Sequence, residues 1–206
     1  PYVQKVLKKH WPNVPMFDVI RKLKGKYIGA IDIITGGYPC QPFSVAGKQK
    51  AEQDPRHLWP EYFRLIKELR PTWVIGENVS GHIKLGLDSV LEDLASEGYS
   101  TRTFSISASS IGANHKRERV WTVANSKSFF RNEHETDREH GKTQVQEISR
   151  NGGVISGGST WWSSEPRVGR VAHGIPNRLD RLKTLGNSVV PHIPYYIGQA
   201  IVESYQ

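Results

Sequence analysis

Cysteine is almost absent from this chain: Cys40 is the only one in 206 residues. One thiol cannot form an internal disulfide, which suits a reducing compartment. It also excludes a zinc site built on cysteine pairs, and the histidines are scattered rather than spaced as ligands, so no metal is expected. Methionine occurs once, at Met16. No apolar run approaches the roughly 18 residues of a membrane helix, and no signal-peptide pattern opens the chain. Nothing before Cys40 has the glycine-rich loop that a doubly wound fold places after its first strand. No internal repeat is present. A hydrophobic content of 37% and a mean hydropathy of −0.52 favour a soluble, cytoplasmic protein with no membrane partner. What the chain has in excess is positive charge. The formal net charge is +8 and the pI about 9.6, a balance that favours a polyanionic partner.

The coarse pattern is α/β. Pro1 to His10 reads as a basic helix, with Val3, Leu7 and the following Trp11 on one face. Met16 to Leu23 reads as a short turn or loop around Asp18. Tyr27 to Thr35 is an expected strand, Leu58 to Leu69 a helix and Thr72 to Ile75 a strand. Leu87 to Glu97 reads as a helix with Val90, Leu91, Leu94 and Ala95 on its apolar side, closed by Gly98. Tyr99 to Ser107 and Arg119 to Ala124 read as strands. Strands alternating with helices imply a largely parallel sheet. From Ser126 to Arg150 the chain turns charged and poor in aliphatics, and Asn151 to Ser159 is rich in glycine and serine, which suggests a mobile loop. A last helix, Val189 to Ser204, is expected to be interrupted by Pro191 and Pro194.

Four blocks carry chemistry. Gly36-Gly37-Tyr38-Pro39-Cys40-Gln41-Pro42-Phe43-Ser44 follows an apolar run. A lone cysteine is ordinarily a small core residue. Here glycines that permit a sharp turn and a proline that fixes the residue before the thiol suggest an exposed nucleophile. Gly76-Glu77-Asn78-Val79 follows the next apolar run and places a carboxyl just past an expected strand end. If the two strands are parallel neighbours, Cys40 and Glu77 share the rim where open α/β sheets bind ligands. In His115-Lys116-Arg117-Glu118-Arg119, strand alternation would put both arginines on one side. Two guanidinium forks on one face suit a carbonyl oxygen and a phosphate. The fourth block, Leu185 to Pro191, reads as a capped helix start with free N–H groups.

Together, in this order, the four blocks resemble a DNA (cytosine-5)-methyltransferase of bacterial or phage type, from about residue 16 to 203. The resemblance implies a Rossmann-like methyltransferase sheet that uses S-adenosylmethionine. In this reading the chain begins just after the family's second strand, without its first strand and glycine-rich loop. Residues 1–124 would be the partial catalytic core, 125–175 a short target-recognition insert, and 176–206 the return segment and helix. Cys40, Glu77, Arg117 and Arg119 are implied as catalytic, with Arg119 at oxygen 2 of the flipped cytosine and Arg117 as its partner. The family often has glutamine where this chain has His115. Asp18 and Val19 match the block that receives the adenine, and Asn187 and Ser188 would lie near the carboxylate of the cofactor's methionine portion. Pro39 and Leu58 complete the implied cofactor set. Gln41, Ser44 and Lys48 are placed to touch DNA near the flipped base, and Asn78 belongs with them while bracing the loop. Double-stranded DNA is the implied partner, with a cognate restriction endonuclease as a possible second and a monomeric state.

The chemistry explains the residue types. Carbon 5 of cytosine is too weak a nucleophile to take a methyl group from a sulfonium. A thiolate added to carbon 6 breaks aromaticity and gives carbon 5 enamine character. The thiolate is the competent form, and Lys48, Arg117 and Arg119 could favour it. A carboxyl of raised pKa can hold ring nitrogen 3 and accept from the 4-amino group, which also rejects thymine. The base must leave the duplex to be reached. Arg167, Arg170, Arg178, Arg181 and Lys183 could hold phosphates, and Trp161 and Trp162 could stack or pack in a core. An RNA cytosine-5 methyltransferase, a non-catalytic nucleic-acid-binding fragment and one half of a split enzyme are the alternatives.

Overall fold

The computed structural model describes residues 2–39, 57–127, 146–147 and 188–205. They divide into two compact units. One takes in Val19–Ser107 and Arg117–Arg150 and holds the sheet. The other takes in Pro1–Asp18, Ala108–Lys116 and Asn151–Gln206.

In the first unit, five strands form one sheet in the order β1-β2-β4-β3-β5. They are β1 (Ile33–Gly36), β2 (Trp73–Val79), β3 (Ser100–Ile106), β4 (Arg119–Asn125) and β5 (Gln146–Glu147). The β1–β2 and β3–β5 pairings are parallel, whereas β4 is antiparallel to both β2 and β3. Four strands therefore run one way and β4 alone is reversed. The expectation of a largely parallel sheet holds for strand direction and fails for the central hydrogen-bond ladders. The link from β3 to β4, Ser107 to Glu118, holds one 3₁₀ turn (Ala108–Ile111) and no α-helix of the kind that usually makes a parallel crossover.

β1 is shorter than the expected Tyr27–Thr35. Gly25–Tyr27 forms a single 3₁₀ turn, and Gly29 sits at φ +84, which stops an extended run. β2 is longer than expected and carries Glu77 and Asn78 inside it. Among the described residues, Trp73 to Gly76 are paired on both sides, by β1 and by β4, and Glu77 to Val79 by β4.

Helix α2 (Trp59–Leu69) follows, with Pro60 in its first turn and Arg70 closing it in the left-handed region at φ 49. It buries Trp59, Tyr62, Leu65 and Ile66, each contributing about 1.5–3 kcal/mol by burial. Helix α3 (His82–Leu85), which the sequence reading missed, leads into α4 (Leu87–Ser96). Leu87, Val90 and Leu94 of α4 are buried, whereas Ala95 is exposed, so the apolar face is narrower than expected. Gly98 follows at φ +82, in keeping with its expected closing role. The core packs Tyr38, Trp59, Tyr62, Ile66, Val74 and Leu94 together. The Trp59 indole donates to Asp93 at 2.6 Å and ties α2 to α4. Arg64 donates to the carbonyls of Ile20 and Leu23, and Glu68 accepts from the Gly25 amide, so α2 also holds the segment that feeds β1.

In the second unit, α1 (Tyr2–His10) forms where expected, yet none of its residues is buried. Gln4 donates to the Asp18 carboxylate. Helix α5 (His192–Glu203) starts later than the expected Val189, and its prolines begin it rather than interrupt it. Pro191 is the cap and Pro194 lies in the first turn, where a missing N–H costs little.

Candidate active site

The site is set by the parallel pairing of β1 with β2, in the register Gly36 opposite Gly76. β1 hands the chain on through Gly37, Tyr38 and Pro39. β2 carries Glu77 one residue beyond Gly76, inside the strand and opposite Trp121 of β4. The expected position of Glu77 past a strand end is therefore corrected. Gly-Glu-Asn has low strand propensity, but the antiparallel ladder with β4 holds it extended, joined by β1 at Gly76.

Gly36 and Gly37 do not turn the chain with a positive φ. Their service is close approach. A Cβ on Gly36 would lie 2.8 Å from the Tyr62 ring, and one on Gly37 would lie 3.3 Å from a Glu77 carboxylate oxygen. A Cβ on Gly76 would lie 3.2 Å from the Tyr38 ring.

Glu77 Oε1 accepts from Arg119 Nε at 3.2 Å, with both side chains about four-fifths buried (17% and 21% exposed). The two are diagonal neighbours on adjacent strands, which places them on one face. Burial pushes the Glu77 carboxyl above its usual range, and Arg119 and Arg117 pull it partly back. Arg119 also donates to the Glu118 carbonyl at 2.8 Å. Arg117 precedes β4 and sits at φ +30, an uncommon backbone state for a residue with a side chain. Strand alternation therefore does not bring the two arginines together. A strained turn does: Arg117 helps to pull the Glu77 carboxyl down, and burial followed by the charge of Arg119 lowers the pKa of Arg117 itself. Glu118 turns to Ser105, whose hydroxyl donates to it at 2.9 Å. Trp121 is buried, and its indole N–H finds no acceptor among the described residues.

Asn78 is buried at 5% exposure. Its amide nitrogen donates to the Tyr38 carbonyl at 3.0 Å, and its oxygen accepts from the Val79 amide at 2.9 Å. Both ends of the amide are spent inside the protein, a geometry that suits bracing better than a nucleic-acid contact. Sequence reading passed over Tyr38 and His82 altogether. Their rings meet edge-on at 5.5 Å and share a hydrogen bond at 3.1 Å. Contact across 44 residues leaves no local signal in a sequence.

Of the residues implied for the cofactor, Val19 and Pro39 are exposed and Leu58 is half-buried. Asp18, in the other unit, is an exposed carboxylate, and Ser188 is exposed at the approach to α5. Taken separately, the apolar surface of Val19, Pro39 and Leu58 and the carboxylate acceptor of Asp18 are each of a type that suits an adenosyl group. Cys40, Gln41, Ser44, Lys48 and Asn187 lie outside the described residues, as do Trp161, Trp162 and the basic run from Arg167 to Lys183. No cluster of metal-ligating side chains occurs among the described residues. No helix among them is long and apolar enough to cross a membrane.

The sequence profile of the C-5 cytosine-specific DNA methylase family matches residues 1–165, and the chain belongs to that family. The Type II methyltransferase M.HgiCII of Herpetosiphon aurantiacus is 34% identical over 130 residues, which is 58% of this chain and 29% of that protein. The Type II methyltransferase M.NgoMIV of Neisseria gonorrhoeae is 37% identical over 120 residues, 54% of this chain and 38% of that protein. The matched segments thus span about a third of the length of these relatives. Among solved structures, a DNMT2 mutant from Spodoptera frugiperda superposes with a TM-score of 0.54 at 21% identity, covering 71% of this chain and 44% of that one. S. pombe Dnmt2 gives 0.53 at 18% identity, covering 73% and 52%. At these identities the likeness establishes the fold alone, and it is the Rossmann-like methyltransferase fold that the sequence implied.

Proposed function

We propose that this chain carries the catalytic centre of an enzyme that methylates carbon 5 of cytosine in double-stranded DNA. The observation that carries the reading is the Glu77–Arg119 pair, 3.2 Å apart and largely buried, beside the strand that leads to the only thiol. In this mechanism the Cys40 thiolate adds to carbon 6 of a cytosine swung out of the duplex. Glu77, its pKa raised by burial, donates to ring nitrogen 3 and accepts from the 4-amino group. Arg119 turns its guanidinium toward oxygen 2, and Arg117 adds positive charge to the same pocket. Bound S-adenosylmethionine would supply an electrophilic methyl group, with Asp18 and Val19 at the adenine, Pro39 and Leu58 along the nucleoside, and Asn187 and Ser188 at the carboxylate. Loss of the carbon 5 proton and departure of Cys40 restore the aromatic ring.

Gln41, Ser44 and Lys48 would hold the DNA strand near the flipped base. Residues 125–175 would read the target between a core at 1–124 and a return segment at 176–206. A monomer paired with a cognate endonuclease, in a bacterial or phage-infected cell, is the expected setting. Asn78 acts by bracing the chain before the nucleophile.

The test is transfer of labelled methyl from S-adenosylmethionine to duplex DNA by the full-length protein and its Cys40→Ser variant, with RNA as competitor. Transfer to DNA that the variant reduces by at least about 10³-fold is expected. Transfer at a normal rate by the variant would refute the nucleophile, and preference for RNA would reassign the substrate.

A further inference from the structure

Tyr38 lies between the last paired residue of β1 and Cys40 and is held from every side that the structure describes. Its carbonyl accepts from Asn78 at 3.0 Å. Its ring packs on Trp59 at 5.0 Å and on Tyr62 at 5.9 Å, against the bare backbone of Gly76. Its hydroxyl is bonded to His82 Nε2 at 3.1 Å, and both residues are buried, at 7% and 4% exposure. His82 opens α3, three residues after the end of β2, the strand that carries Glu77. One polar contact therefore joins the chain leaving β1 to the chain leaving β2.

The alternative fillings are informative. An apolar pair of the same shape would also pack here, and burying two polar groups costs free energy unless they are hydrogen-bonded, as these two are to each other. Burial and the neighbouring His57 hold the imidazole pKa near 4, so the ring is neutral around pH 7 and can share one hydrogen bond with the tyrosine hydroxyl. A hydrogen bond adds direction where apolar packing would leave the tyrosine able to slide.

We propose that the Tyr38–His82 bond is a positioning element that fixes the course of the chain into Cys40 relative to Glu77. This rests on the methyltransferase reading above. Tyr38 and His82 act through Cys40 and are not themselves catalytic.

The sole cysteine makes the test selective, because alkylation of the full-length protein by iodoacetamide reports Cys40 once any other thiol is excluded by mapping the labelled peptide. Tyr38→Phe and His82→Leu each remove one half of the bond and keep the bulk. Each is expected to change the alkylation rate by about threefold or more in the same direction. The double variant should change it no further than the larger single change, because the two act as one contact. His82→Gln, which can still bond the hydroxyl, should recover most of the change. In the methylation assay, kcat should fall by about tenfold with KM for DNA within about twofold. Alkylation rates unchanged in both single variants would overturn the proposal, even if melting temperatures fell, since packing alone would then explain the pair. Additive effects in the double variant would overturn it too. If the parent protein transfers no methyl group but the alkylation pattern holds, the methyltransferase reading fails and the positioning of the thiol stands.

Discussion

The two strands that build the site are fixed by different means. β2 is paired with β4 along its whole length and with β1 from Trp73 to Gly76, and Glu77 and Asn78 are held in place by the β4 ladder. Among the described residues, β1 is only four residues long and is paired on one edge. What fixes the chain beyond it is a set of side chains: Asn78 on the Tyr38 carbonyl, His82 on its hydroxyl, and Tyr62 donating to the carbonyls of Ile34 and Ile75 at 3.2 and 3.0 Å. In the proposed mechanism, a carboxylate that holds a base needs a fixed seat, and a nucleophile that forms and breaks a bond in each cycle gains from a tether that side chains can tune.

Three experiments bear on that contrast. The largest effect is expected from Glu77→Gln, which leaves the β2 ladder intact and removes the proton donor. It should lower kcat by about 10² to 10⁴-fold with little loss of stability. A fall of less than about threefold would remove Glu77 from the chemistry. Next is Gly36→Ala, which drives a methyl group into the Tyr62 ring and should cost about 1–3 kcal/mol in urea unfolding. Gly81→Ala is the control, since a Cβ there meets nothing within 4 Å and φ is not positive. It should stay within about 0.5 kcal/mol, and an equal loss at both sites would mean that β1 is not held by close packing.

The smallest effect is in pH dependence. The His82 pKa is lowered from 6.5 to about 4 in the folded protein, so the folded state binds fewer protons than the unfolded chain in that window. Its contribution is fully present above pH 6.5 and is lost as pH falls toward 4. Glu77 has the opposite sign. Its raised pKa contributes most below its ordinary 4.5 and loses that contribution as pH rises through the raised value. Comparing the urea midpoints of the parent protein and His82→Leu cancels Glu77. The difference should shrink between pH 7.5 and 5, and a constant difference would show that His82 does not titrate with unfolding.

The blocks around Glu77, Arg117 and Arg119 could be found in the sequence because they are local runs of distinctive residue types. The helices α2 and α4 could be found because their apolar periodicity is regular. Two apolar runs joined by a helix allowed a parallel neighbourhood of β1 and β2 without requiring it, and the pairing is parallel. The true lengths of the strands were hidden. Gly76-Glu77-Asn78 is a poor strand by propensity and becomes one through its neighbours, whereas Tyr27 to Ile31 looks apolar enough but turns at Gly29. The antiparallel placement of β4 was hidden because apolar patterning carries no direction. The glycines of the first block advertised a turn, while their use is the absence of a side chain under an aromatic ring.

That absence also bears on how the sheet finds its pairing. Gly36 and Gly76 stand opposite each other, under Tyr62 and Tyr38 respectively. If β1 slid two residues along β2, Ile34 or Tyr38 itself would stand where Gly36 stands, and its side chain would strike the Tyr62 ring. A slide of one residue would turn Ile34 to the opposite face. The two bare positions and the two rings thus work as a key in a keyway: only one alignment of the strands closes, and it is the alignment that brings Gly37 against Glu77.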